Sequence, residues 1–105
     1  MNIAVATVSL HLPAASSLKD KRGVVQSLMT RLRDRYNVAV AEVADQESHR
    51  SSQLGFCTIN TSYVQAAETV QSAVRFMQDE LIGKGEIVAV WQEGLGGVGD
   101  EPEQQ

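Results

Sequence analysis

Residues 2–12, Asn-Ile-Ala-Val-Ala-Thr-Val-Ser-Leu-His-Leu, form a run of aliphatic and β-branched side chains stopped by Pro13. Such a run reads as a strand closed by a proline-containing loop. Both parities are apolar: Ala4, Ala6, Val8, Leu10 and Leu12 would point one way, Ile3 and Val5 the other. A half-solvated antiparallel strand would instead alternate apolar with polar residues. The second face of this strand is therefore expected to be covered by a second copy, a partner or a ligand. Exposed apolar patches mark interfaces, so a homodimer is the favoured expectation.

Working outward, Ser17-Leu18-Lys19-Asp20 has the pattern of a helix start, with Ser17 as N-cap and an acid three residues on. The helix carries an apolar stripe at Leu18, Val25, Leu28, Met29, Leu32 and Tyr36, on one face of a 3.6-residue period. Asn37 suits its stop, because Asn tolerates the left-handed conformation. Val38 to Ala44 reads as a second strand, 45–52 as a polar connector and Gln53 to Thr61 as a third strand. Ser62-Tyr63-Val64-Gln65 is a second capping box. The stripe from Tyr63 through Ala66, Val70, Ala73, Met77 and Leu81 makes a second helix ending at Gly83, and Ile87 to Trp91 a fourth strand. The order β-α-β-β-α-β predicts an α+β, ferredoxin-like split fold: a four-stranded antiparallel sheet with two helices on one face.

At 105 residues the chain is one domain's worth. Residues 1–93 are expected to form it, with 94–105 a flexible, Gly-rich acidic tail. Within that tail Gly94-Leu95-Gly96-Gly97-Val98-Gly99 matches G-x-G-x-x-G. It has no helix behind it to present a pyrophosphate, so it predicts no dinucleotide site. Cys57, the single cysteine, reads as a small buried hydrophobe. No run approaches membrane-spanning length and no basic leader precedes the first strand, so a cytoplasmic protein is expected.

The net charge of −4 argues against a nucleic-acid binder, but its distribution does not. Residues 17–36 hold six basic and two acidic residues, a basic ridge on an acidic body. Lys19, Lys21 and Arg22 crowd the first turns, where the positive end of the helix dipole disfavours cations. With free N–H groups nearby they form a candidate anion or RNA-backbone site, to which Arg33 adds a fourth cation. Phe56 is the lone aromatic in the two presumed central strands, so base stacking on the sheet is not expected. His11 and His49 with Glu42, Asp45 and Glu47 lack any metal-ligand spacing, and neither a metal nor a cofactor is expected.

The segments His11-Leu12-Pro13, Ser17-Leu18-Lys19-Asp20-Lys21-Arg22, Asn37-Val38-Ala39-Val40-Ala41-Glu42-Val43, Gln46-Glu47 and Leu54-Gly55 resemble the YlxP-like family of small bacterial proteins, domain of unknown function 503. The resemblance spans roughly residues 1–93. It implies a ferredoxin-like fold and, from the family's gene neighbourhoods, an accessory role near ribosomes. His11, Glu42 and Gln46 match family positions without a role that the resemblance supplies. His49 and Ser51 stand where the family commonly has a Trp and an Arg, which puts any contact through that aromatic in doubt.

Three functional expectations follow. The first is a non-enzymatic accessory protein that binds RNA or the ribosome through its basic first helix. The second is an interaction or regulatory module, a homodimer or partner-binding protein working through an apolar sheet face. The third is a small hydrolase or isomerase at a dimer seam, using His11 and Glu42 as acid and base.

Overall fold

A computed structural model describes residues 1–101. The elements are β1 (Asn2–His11), α1 (Leu18–Arg35), β2 (Ala39–Ala44), β3 (Ser51–Asn60), α2 (Tyr63–Glu80) and β4 (Glu86–Leu95). The sheet order is β2-β3-β1-β4 with every neighbouring pair antiparallel, as the sequence predicts. Each βαβ crossover skips one position, which leaves room for the antiparallel strand between its parallel ends.

Both helices pack on the sheet face presented by Ala4, Ala6, Val8 and Leu10 of β1 and by Leu54 and Phe56 of β3. From α1 come Val25, Leu28, Met29 and Leu32; from α2 come Ala66, Val70, Ala73 and Met77. The N-caps are those expected. Ser17 accepts from the Asp20 N–H at 3.1 Å and Ser62 from the Gln65 N–H at 3.2 Å. Each replaces a bond that a helix start otherwise lacks.

Two boundaries differ from expectation and one agrees. Asn37 does not close α1 in a left-handed conformation; the helix ends at an extended Tyr36, whose N–H bonds Leu32 O. Gly83 does adopt the left-handed backbone after α2, with φ of 80°. The second difference concerns residues 94–101, which are not a free tail. β4 runs on through Gly94 and Leu95, paired with Ala4 and Ile3. Beyond it, the Gly97 N–H donates to Asn2 Oδ1 at 3.2 Å and the Val98 N–H to Met1 O at 2.7 Å. The glycines here allow close approach: a side chain at Gly94 would collide with the Tyr63 ring. The rest of the expected tail, 102–105, lies outside the described residues. Among the described residues no helix is long and apolar enough to cross a membrane.

Candidate functional site

The expected basic ridge is largely engaged within the fold. Lys21 is not a surface cation: it is fully buried, 0% exposed. Three residues after Leu18 and four before Val25, it lies on the apolar stripe of α1, so the helix itself carries it inward. Its ammonium meets Asp45 O at 2.7 Å, Gln46 O at 3.2 Å, Ser51 O at 3.3 Å and Glu42 Oε2 at 3.0 Å. The Ser52 hydroxyl donates to the same Glu42 oxygen. Lys21 thus fills the place of a cation around which the connector between β2 and β3 is wrapped. Asp45 takes a left-handed φ of 62° to aim its carbonyl inward. A buried pair of this kind contributes little net stability over an apolar substitute, but removing one partner strands the other charge.

This cluster gives Glu42 and Gln46 a structural place. Glu42 is the counter-ion, and Gln46 contributes its carbonyl while its amide donates to Glu42 O at 3.3 Å. His11 is not part of it. Glu42 shares the helix-covered side of the sheet with Val40, whereas His11 faces the other side, with Nδ1 3.8 Å from Glu86. An acid–base pair of His11 and Glu42 is therefore not formed within one chain.

The remaining cations of α1 divide in the same way. Arg31 pairs with Glu80, Arg35 lies over the rings of Phe76 and Tyr36, and Arg33 donates to Val40 O at 3.1 Å. Lys19 and Arg22 stay exposed. The helix start already holds an anion. Asp20 accepts from the Ser16 hydroxyl at 2.6 Å and the Ser16 N–H at 3.1 Å. The Ser16 hydroxyl, then its N–H, holds the Asp20 carboxyl below the usual carboxylate range. An incoming phosphate would have to displace or repel that carboxylate.

Among the described residues, the other face of the sheet has no cover. Across it run rows set by the strand register: Ile59, Ile3 and Leu95; then Ala39, Cys57, Val5 and Glu93; then Ala41, Gly55, Thr7 and Trp91. Val43, at the bulge of β2, leans over Gly55, whose missing side chain gives it room. Small residues at the centre make an open apolar depression of about 360 Å³ between Val5, Ala39, Ala41, Val43 and Cys57. Ile59 is 54% and Trp91 51% exposed. Among the described residues, charge on this face is confined to Glu93 near β4's edge and to His11 and Glu86 at one end.

The sequence could have shown the fate of Lys21, since its position on the stripe is a matter of counting. What hid it was its charge, which read as surface. The depression was legible only as an apolar second parity in β1; its small central residues acquire meaning once the register aligns them.

Similarity to known proteins agrees with this architecture. A de novo designed protein with a ferredoxin fold aligns with a TM-score of 0.56 at 9% identity, covering 100% of this chain and 94% of its own. Protein YJCS, from structural genomics, aligns with a TM-score of 0.56 at 12% identity, covering 87% of this chain and 96% of its own. These likenesses speak to fold alone. In sequence, the uncharacterized protein YlxP of Bacillus subtilis (strain 168) is 30% identical over 63 residues, 60% of this chain and 68% of that protein. The profile of the family described as protein of unknown function (DUF503) matches residues 3–90, and the chain belongs to that family.

Proposed function

We propose that the protein is a non-enzymatic, cytoplasmic accessory module that works as a homodimer, two open sheet faces packed together. The observation that carries this reading is the uncovered face with Ile3, Val5, Val43, Ile59, Trp91 and Leu95 on it and its charges at the margins. Three strands of ten residues and one of six, at about 3.3 Å per residue and about 4.8 Å apart, give on the order of 570 Å² per copy. Two copies together clear the roughly 1,000 Å² expected of a specific interface. A face without central charge suits its own copy, because neither like charges nor unpaired ions are forced into the contact.

RNA or ribosome contact through α1 has less support, since only Lys19 and Arg22 of its candidate cations stay exposed and free of the contacts that hold Lys21 and Arg33. Phosphate binding depends on such cations and weakens steeply with salt. The test is the mass of the assembly by analytical ultracentrifugation. Ala41→Lys with Ile59→Lys, both at exposed positions, should halve it while leaving the circular dichroism unchanged. An unchanged mass overturns the reading. Retention on ribosomal RNA that is lost on Lys19→Gln with Arg22→Gln would put the RNA reading in its place.

A further inference from the structure

The open face carries a hollow and a projection, and the strand register sets them at one level. The hollow is the depression of about 360 Å³ centred on β2 and β3, where Ala39, Ala41 and Gly55 lack bulk and Val43 and Cys57 flank them. The projection is Trp91 on β4, 51% exposed and not one of the residues that line the hollow. Ala41 pairs with Gly55, Gly55 with Thr7 and Thr7 with Trp91, so hollow and projection share a row. With strands about 4.8 Å apart, β2 lies roughly 14 Å from β4, beyond the reach of an indole along its own sheet. The chain thus holds both halves of a contact that it does not make with itself.

We infer that Trp91 of each protomer seats in this hollow of a second copy, over the partner's Ala41; the inference rests on the face-to-face dimer proposed above and fixes its geometry. A two-fold axis running along the strands, above the gap between β3 and β1, lays β4 over the partner's β2 and β1 over the partner's β3. Every row then stays at its own level. Trp91 meets the partner's Ala41, Thr7 the partner's Gly55 and Val5 the partner's Cys57, while Glu93 lies over the partner's Ala39 rather than over another carboxylate. Twisted sheets pack at roughly 30°, which displaces the outer strands by about one residue, within the span of the hollow from Ala39 to Val43. An axis running across the strands would instead keep β4 over β4, and Trp91 would never reach the hollow. An apolar cavity of roughly 150 Å³ takes up benzene, so the hollow has room for an indole. Tryptophan is also among the side chains that most often dominate an interface, by filling a pocket on the partner.

The experiment measures the dimer dissociation constant by sedimentation equilibrium for the wild type, Trp91→Ala, Ala41→Trp and the exchange variant that carries both changes. Both positions are exposed, and circular dichroism confirms the fold. Each single change should raise the dissociation constant about 30-fold or more, the first by emptying the hollow and the second by filling it from its own side. The exchange variant conserves the volume of the pair and should return to within about tenfold of the wild type. Indifference to Trp91→Ala, or an exchange variant that binds no more tightly than the single variants, overturns this seating. The face-to-face reading survives that outcome if Ala41→Lys with Ile59→Lys still halves the mass. A wild type that is monomeric at every concentration overturns both.

Discussion

The two faces of the sheet carry comparable apolar side chains and differ in what meets them. On the helix-covered face every partner is supplied by the chain, down to a lysine ammonium matched by three carbonyls and a carboxylate. On the open face Ile3, Val5, Ile59 and Trp91 have no helix packed over them among the described residues. The contrast marks where folding ends: one face is solved internally, charge included, and the other is the surface that the proposed dimer would cover.

The sharpest way to break the contrast is to disturb the buried charge. Lys21→Ala should cost about 3–5 kcal/mol by stranding Glu42, and Lys21→Met with Glu42→Leu should recover only part of it, because the Asp45, Gln46 and Ser51 carbonyls and the Ser52 hydroxyl still lose their partners. Chemical denaturation of the single and double variants checks both. A Lys21→Ala protein as stable as wild type would mean that the cluster is solvated. Next in size, Leu54→Ala on the covered face should cost about 2–5 kcal/mol. Ile59→Ala on the open face should cost under about 0.5 kcal/mol in the dissociated protomer. Equal losses at both sites would erase the distinction between faces.

Smaller effects than those of the buried charge and core lie at the start of α1. Ser17→Ala should remove about 1 kcal/mol by leaving the Asp20 N–H uncapped. Because the Asp20 carboxyl is held below its ordinary range by Ser16, its contribution is present above that range and is lost as pH falls through the lowered value. Ser16→Ala should therefore flatten the acid limb of the stability profile, measured by thermal denaturation between neutral and acidic pH.

The element order, both N-caps and the buried parity of β1 were legible because each rests on local spacing, of two or of 3.6 residues. The positions that misled share a different feature: their environment is set by distant residues. Lys21 is buried because Asp45, Gln46 and Ser51, more than twenty positions on, present carbonyls to it. Gly94 and Gly97 are ordered because β1 and Asn2 offer a pairing edge and an acceptor. Charge and glycine content describe a residue's preference when nothing is nearby, and here something was.

The most direct test of the open face uses Trp91, the chain's one tryptophan, which stands on it. Its emission and acrylamide quenching can be followed through dilution. A covered face predicts blue-shifted, protected emission at high concentration. The emission should turn red-shifted and quenchable on dilution or on adding Ala41→Lys with Ile59→Lys. Emission that is solvent-exposed at every concentration, and indifferent to those substitutions, would contradict the account.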